Sequence, residues 1–208
     1  MDVRAGWLIR RRRARREKME LSALLERCRA GNELAWEALV RQFQARIYGV
    51  AYHYVGNAED ARDLAQEAFI RLYLNLALCP DESGFLPWII RITRNASIDH
   101  LRRKKARPPA HDLAAEEMLN LRSPGRDPEE LYAADARKRL IRRALSELTE
   151  LNREMILLKD IQGLALEEIA AMLKVPLGTV KSRSNRARIE LAQKLALLAG
   201  GLAGETAV

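Results

Sequence analysis

The amino-acid sequence predicts an all-α protein of two small helical domains joined by a flexible acidic linker. Three observations support this prediction. Ala, Leu, Arg and Glu dominate the 208 residues and Gly numbers only 11, alternating strand-like patterns are never longer than a few residues, and a stretch rich in proline and acids divides the chain. The four dominant residue types include the strongest helix formers, whereas glycine weakens helices. A chain of this length holds one medium domain or two small ones.

The first helical block runs from about residue 20 to residue 105. Gly31 and Gly56, each followed by asparagine, predict breaks within it, and so does the segment 80–84, which begins with proline and ends with glycine. Asn57 has the side chain of a helix N-cap. We therefore expect a helix to begin at residue 58 and to continue to about residue 76.

This helix combines an apolar stripe with an acidic face. The stripe, with helical spacing, is Ala61, Leu64, Ala68 and Leu72. Carboxylates at spacings of three and four residues form the acidic face, namely Asp60, Asp63 and Glu67. Solvation is the usual meaning of such a face, and the alternative is a docking surface for a basic partner helix.

The end of the first block is strongly basic. Residues 91–107 contain seven Lys or Arg against one Asp, a net charge of +6, and Phe85 and Trp88 precede them. Cationic side chains beside aromatic groups suit single-stranded nucleic acid, because charges follow the phosphates and planar groups stack on bases. Packing in the core is the more common role for a tryptophan such as Trp88.

The second block runs from about residue 128 to residue 198, after an acidic linker. Residues 108–135 carry seven acids and two arginines, a net charge of −5. In the second block, residues 167–173 predict a short helix whose Ile169, Ala170 and Leu173 share a face, and Pro176 is suited to open the next helix.

That next helix is expected from residue 177 to about residue 195. Val180, Ser184, Ala187 and Leu191 form its inner stripe, and residues 174–194 have a net charge of +5. A helix fits the major groove of DNA, where Arg, Lys and Asn read base edges. The pattern therefore indicates a DNA-binding helix-turn-helix, with an ordinary basic surface helix as the alternative.

The remaining composition bounds the function. The net charge is +8, which favours a nucleic-acid partner, but residues 1–18 alone contribute +6. Two cysteines cannot build a disulfide framework and fit a reducing compartment, so a cytoplasmic protein is expected. The scattered histidines and the lack of phosphate-loop or nucleophile motifs predict no metal, no cofactor and no enzymatic activity. No apolar run is long enough to insert into a membrane.

Four segments in this order resemble a bacterial RNA polymerase sigma factor of the extracytoplasmic-function (ECF) group. They read GNELAWEALVRQF, DARDLAQEAFIRLY, FLPWIIRITRNASIDHLRRKKAR and ALEEIAAMLKVPLGTVKSRSNRAR. The resemblance spans about residues 21–195. It implies a promoter-specificity factor that binds core RNA polymerase through the clamp helices of its large subunit, recognises a −35 duplex, melts and captures a −10 strand, and is held by an anti-sigma factor.

The resemblance also implies a role for individual residues. Contacts to core polymerase would come from Asp60, Asp63, Gln66 and Glu67. Contacts to the −10 element would come from Arg91, Arg94, Asn95, Asp99, Arg102 and Arg103, with Asn95 in a short loop that receives a flipped base. Contacts to the −35 element would come from Thr179, Lys181, Ser182, Arg183, Asn185, Arg186 and Arg188. Of these, Lys181, Asn185 and Arg186 would reach base edges, and Arg183 and Arg188 would reach phosphates.

Two positions depart from the family pattern. Lys174 occupies a turn where the family often has Gly or Asp, so a strained backbone is expected there. Ser184 occupies an inner position where Leu or Ile is usual, so the recognition helix is expected to be under-packed. The expected organisation is a disordered basic extension at 1–18, sigma region 2 at 19–105, a linker at 106–130, sigma region 4 at 131–198 and a tail at 199–208.

Two other kinds of protein compete with this interpretation. A stand-alone helix-turn-helix regulator explains the second block but leaves the acidic helix and residues 91–107 without a role. A nucleic-acid-modifying enzyme requires a metal or nucleophile cluster, which the sequence lacks.

Overall fold

The computed structural model describes residues 20–79, 81–106, 137 and 139–205. Every regular element among them is helical, so the prediction of an all-α fold is confirmed. Residue contacts divide the chain into two compact units, which are taken separately below. The predicted extension at 1–18 and most of the predicted linker lie outside the described residues.

Within its described residues, 20–79 and 81–106, the first unit contains four helices and one short turn of 3₁₀ helix. Helix α1 covers residues 20–29, and the others follow it directly along the chain. They are α2 (Glu33–Val55), α3 (Ala58–Leu74), the 3₁₀ turn (Leu76–Leu78) and α4 (Glu82–Lys105).

Local sequence signals set the beginnings of these helices. The side chains of Asn32 and Asn57 accept hydrogen bonds from the backbone N–H groups of Ala35 and Asp60, at 2.9 and 2.8 Å, which confirms both predicted breaks. The third break is shorter than predicted, because Asp81 accepts from the N–H groups of Ser83 and Gly84 and starts α4 at Glu82. An N-cap of this kind stabilises a helix by about 1 kcal/mol.

Helices α2, α3 and α4 pack around a shared apolar core. Phe43 of α2 and Phe85 of α4 meet edge to face with ring centroids 4.9 Å apart. The predicted stripe of α3 is confirmed, since all four side chains are at most 2% exposed: Ala61, Leu64, Ala68 and Leu72. The packing of this stripe fixes the rotation of α3 about its own axis.

The second unit contains the helix-turn-helix. Its elements are α5 (residues 139–146), α6 (Glu150–Met155, continuing as a π-helical turn over Ile156–Ile161), α7 (Leu166–Leu173) and α8 (Leu177–Glu205). The guanidinium of Arg153 donates to the carbonyl oxygens of Leu145, Ser146 and Leu148 at 2.8–3.0 Å. It thereby satisfies acceptors that the end of α5 leaves without helical partners.

Helix α8 is longer than predicted. Its sequence from Leu195 onward contains no proline, and the helix continues to Glu205 instead of ending near Leu195. Helix α8 therefore extends past residue 199, where the sequence analysis expected a tail to begin. Two adjacent glycines, each costing about 1 kcal/mol in a helix, do not end it.

The turn of the helix-turn-helix is strained at Lys174. Its backbone angles are φ 56° and ψ 44°, and it has the only positive φ of a non-glycine residue in the described part of the chain. The expectation of strain here is confirmed. A side chain in this conformation costs on the order of 1 kcal/mol relative to glycine.

We expect Lys174→Gly to stabilise the second unit by about 1 kcal/mol, because glycine adopts this conformation without strain. Urea unfolding followed by circular dichroism measures the change. Lys174→Ala is the matched control, since it removes the same side chain and keeps the Cβ atom. Equal stabilisation by both variants would show that the lysine side chain, and not the backbone, is unfavourable.

Candidate functional site

Helix α3 presents a polar surface on the side opposite its core stripe. Asp63 and Gln66 are exposed, and Glu67 is partly buried with its carboxylate 2.5 Å from the guanidinium of Arg71. Asp63 can accept hydrogen bonds from a partner, and Gln66 can both donate and accept them. Asp63, Gln66 and Glu67 are called the polar part of the α3 face below.

An apolar surface that the sequence analysis missed continues this face. Ile70, Tyr73 and Leu74 are 52, 63 and 73% exposed, and the ring of Tyr73 lies 5.0 Å from that of Trp36 in α2. The signal was present in the sequence, because these three residues lie off the stripe that ends at Leu72 and so cannot share its burial. Contiguous exposed apolar side chains frequently mark interaction surfaces.

Asp60 was expected on the same face, but its side chain turns towards α4. Its Oδ2 atom accepts from the Asn57 amide at 2.6 Å and lies 3.1 Å from His100 Nε2 and 3.7 Å from Lys104 Nζ. Partial burial raises the pKa of Asp60, but the hydrogen bond from Asn57 and the charges of His100 and Lys104 outweigh it and hold the pKa below its ordinary value.

The basic residues of α4 share one broad face. Of the residues expected to contact the −10 element, Arg94 is partly buried, and the exposed ones are the arginines Arg91, Arg102 and Arg103 together with Asn95 and Asp99. Asn95 lies in the middle of the continuous helix Glu82–Lys105, so the expectation of a short loop there is wrong. No glycine or proline after Pro87 interrupts the helix.

The aromatic residues before this face belong to the core. Phe85 is fully buried, and Trp88 is partly buried against the same core cluster. This is the core-packing role that the sequence analysis gave as the more common one for Trp88. The buried hydroxyls of Thr93 and Ser97 donate to the carbonyls of Ile89 and Thr93, both at 2.9 Å. These two buried hydroxyls are therefore satisfied within α4, and Arg91, Asn95 and Arg103 lie exposed on its other side.

The helix-turn-helix places its polar residues on one side of α8. Its inner stripe is confirmed, with Val180, Ser184 and Ala187 buried and Leu191 partly buried. Of the predicted contact residues, Thr179 and Arg183 are partly buried, and the exposed ones are Lys181, Ser182, Asn185, Arg186 and Arg188.

Polar contacts attach α8 to the elements that precede α7. Arg188 donates through Nε and Nη2 to Asp160 Oδ1 at 3.0 and 2.5 Å. Further along, the amide of Asn152 donates to Glu190, and Lys194 Nζ lies 3.4 Å from Glu147. Arg188 keeps 54% of its side chain exposed, so its guanidinium has an anchored edge and an accessible one.

Within the described residues, no group of three or more His, Cys, Asp or Glu side chains is arranged to bind a metal ion. Among these same residues, no helix has the length and hydropathy needed to cross a membrane.

Comparison with known proteins identifies the family. A family profile described as Sigma-70 region 2 matches residues 39–107, and one described as Sigma-70, region 4 matches residues 138–191. The RNA polymerase sigma-H factor of Pseudomonas aeruginosa is 34% identical over 174 residues, which cover 79% of this chain and 88% of that protein. The ECF RNA polymerase sigma-E factor of Escherichia coli K12 is 34% identical over 184 residues, covering 86% and 96%. The chain belongs to the ECF sigma factors.

Solved structures share the fold of this ECF sigma factor. CnrH in complex with the cytosolic domain of CnrY has a TM-score of 0.57 at 23% identity, covering 85% of this chain and 97% of that one. The sigma factor RpoE in complex with the anti-sigma factor NepR from Bartonella quintana has a TM-score of 0.56 at 22% identity, covering 77% and 96%. Because the family profiles match segments of both units, a stand-alone helix-turn-helix regulator is not favoured.

We expect the contribution of Asp60 to the stability of this sigma factor to depend on pH. A folded-state pKa below the ordinary value means that the contribution is complete above that value and is lost as the pH falls through the folded one. Asp60→Asn should therefore cost roughly 1 kcal/mol at pH 7 and much less at pH 3. Thermal melting at both pH values measures this.

Asp63→Asn is the control for this comparison, since Asp63 is exposed on the same helix. It should leave the melting temperature nearly unchanged at both pH values. A cost of Asp60→Asn that stays the same at pH 3 would contradict the assignment of its effect to the charged carboxylate.

Proposed function

We propose that this ECF sigma factor binds core RNA polymerase and directs promoter-specific initiation of transcription. In this proposal the polar part of the α3 face and the apolar side chains beside it dock on the polymerase. Helix α4 captures the melted −10 strand, and α8 reads the −35 duplex. The protein catalyses no reaction itself, because the polymerase makes the RNA. One observation carries the proposal: a single chain presents an acidic and apolar helix face together with two separate basic helix faces.

The docking surface combines the polar part of the α3 face with the apolar side chains beside it. A partner helix with basic and apolar residues would pair its charges with Asp63 and Glu67 and cover Ile70, Tyr73 and Leu74. The clamp helices of the large polymerase subunit are the partner that the resemblance implies. The apolar residues would supply affinity through burial, and the carboxylates would supply orientation.

The basic face of α4 suits an unpaired DNA strand. Arg91, Arg102 and Arg103 are exposed and can follow phosphates, and Asn95 between them offers both a donor and an acceptor to a base edge. Extracting a base from the stack costs a few kcal/mol, which the receiving site must return through hydrogen bonds. The packed part of α4 holds Arg91 and Asn95 in place before the strand arrives. Arg94 and Asp99 complete the proposed −10 set.

The outer face of α8 suits the major groove of a duplex. Lys181, Asn185 and Arg186 lie on consecutive turns and are the residues proposed to contact base edges. The anchored guanidinium of Arg188 and the partly buried Arg183 are proposed to contact phosphates, which fix the position of a recognition helix without reading sequence. Thr179 and Ser182, near the start of the helix, complete the proposed −35 set.

Anti-sigma binding and location complete the proposal. One solved relative is in complex with an anti-sigma factor, and this supports an anti-sigma factor as a partner of this chain too. The site of action would be the cytoplasm, where polymerase and promoter meet. We retain the predicted domain limits, with region 2 at 19–105, a linker at 106–130 and region 4 at 131–198.

Run-off transcription with purified core polymerase tests the function and the docking surface together. The template carries a promoter mapped by sequencing transcript starts after overproduction of the full chain. The unaltered protein should produce a promoter-dependent transcript. The double reversal Asp63→Lys with Glu67→Lys should abolish it, because two lysines repel a basic partner.

The matched control is Glu26→Lys with Glu37→Lys. This pair makes the same change in charge at exposed positions of α1 and α2, and Glu37 pairs with Arg41 four residues on, as Glu67 does with Arg71. The control should transcribe normally. Core affinity that survives the Asp63 and Glu67 reversal in a pull-down would refute the docking surface, and no promoter-dependent transcript from the unaltered protein would refute the function.

The −35 assignment predicts that Arg186→Ala weakens binding to the mapped −35 duplex by about 1–3 kcal/mol and relaxes its sequence preference. Fluorescence anisotropy at one fixed salt concentration measures this, because protein–DNA affinity depends strongly on salt. Arg143→Ala is the control, since it removes an exposed arginine from α5 in the same unit. A uniform loss on every duplex would instead make Arg186 a phosphate contact.

A further inference from the structure

The last two turns of α4 lack the apolar packing that holds the rest of the helix. In α4, all of which the structure describes, no side chain after Ser97 is buried, and Ile98 and Leu101 are only partly so. Residues 102–105 are four consecutive exposed cations. Like charges this close repel one another, and a helix end without buried side chains opens readily. These turns nevertheless carry Arg102 and Arg103, which are proposed to hold the −10 strand.

One carboxylate from α3 contacts two side chains of this unpacked end. Asp60 Oδ2 lies 3.1 Å from His100 Nε2 and 3.7 Å from Lys104 Nζ, so it contacts α4 at positions one helical turn apart. The two α4 residues flank Arg102 and Arg103 in sequence. A carboxylate at this point offsets part of the repulsion among the cations and fixes the orientation of the helix end.

Asp60 is itself held in place by the cap of α3. The Asn57 amide donates to Oδ2 at 2.6 Å, and the Asp60 N–H donates to Asn57 Oδ1 at 2.8 Å. The core stripe begins at the next residue, Ala61, which packs in one cluster with Ala96 of α4. The carboxylate therefore extends from the last packed layer between the two helices towards the unpacked end.

We propose that Asp60 is a positioning residue for −10 strand capture and does not dock on core polymerase. It holds the end of α4 so that Arg102 and Arg103 meet the strand in a fixed arrangement. Only 25% of its side chain is exposed, and Oδ2 already has three neighbours within the unit, whereas Asp63 and Gln66 on the same helix are open to solvent. This inference rests on the proposed function, because it assigns a role within the same −10 surface.

The test uses the full chain assembled with core polymerase and the mapped promoter. One fluorescent probe is the −35 duplex, and the other is a fork whose −10 non-template strand is unpaired. Asp60→Asn removes the charge, and Asp60→Glu keeps it. Glu59→Gln is the matched control, because it makes the same change in charge at the exposed neighbouring residue.

Asp60→Asn should weaken fork binding by about tenfold, because the neutral amide no longer attracts the cations at the end of α4, and leave core affinity and −35 affinity within about twofold. Asp60→Glu should recover most of the fork binding, which a merely space-filling role of Asp60 would not predict. Glu59→Gln should match the unaltered protein on all three measurements.

Three results would overturn the inference. Loss of core affinity in Asp60→Asn, as in the Asp63 and Glu67 reversal, would make Asp60 a docking residue. An equal loss in all three measurements would mean general destabilisation, and unchanged fork binding would remove the positioning role. Failure of the proposed function is distinct, since the unaltered holoenzyme would then bind the fork without sequence preference.

Discussion

Burial of one stripe on each long helix is the constraint on which the candidate surfaces depend. In α8, Val180 and Ala187 are fully buried, so Asn185 and Arg186 must point away from the unit. A rotation of 100°, the angle of one residue in a helix, would bring a charged side chain into the core, where an unpaired charge is very costly. The same constraint acts on α3, where the stripe from Ala61 to Leu72 leaves Asp63 and Gln66 outside.

The separation of acidic and basic residues along the chain does not stabilise the fold to any large extent. Acidic and basic residues lie on exposed faces, where individual pairs contribute little to stability. Asp60 is different, because this acidic residue of α3 contacts His100 and Lys104 of the basic helix α4. Its contacts link two surfaces proposed to bind different partners, and in the proposal above a residue that sequence spacing assigns to the docking face orders the −10 surface.

The features that could be predicted from the sequence are those set by residues close together along the chain. The break at Gly31, the cap at Asn57 and the stripe of α3 follow from local chemistry, the strain at Lys174 follows from comparison with the family pattern, and the structure contains all four. Spacing along one helix cannot tell which other helix a side chain meets, so the contacts of Asp60 with α4 could not be predicted. The exposed Ile70, Tyr73 and Leu74 were missed although their positions off the α3 stripe indicated exposure. The loop expected at Asn95 came from the resemblance and not from its neighbours, which contain no helix breaker.

Helix α8 is held against the rest of its unit by both apolar packing and polar contacts, and the two have different effects. A buried leucine at the position of Ser184 would contribute roughly 1.5–3 kcal/mol through burial, and the serine forgoes most of this. Three polar contacts surround the same helix, from Asp160 to Arg188, Asn152 to Glu190 and Glu147 to Lys194. Exposed ion pairs contribute about 0–1 kcal/mol each and a hydrogen bond such as that of Asn152 about 1 kcal/mol, which together are of the same order as the burial that the serine forgoes. Their more specific effect is geometric, because the two hydrogen bonds that Arg188 donates to Asp160 fix the plane of its guanidinium. In the proposed −35 role, Arg188 would therefore meet a phosphate in a constant direction, and Ser184 would leave α8 less tightly packed than a leucine would.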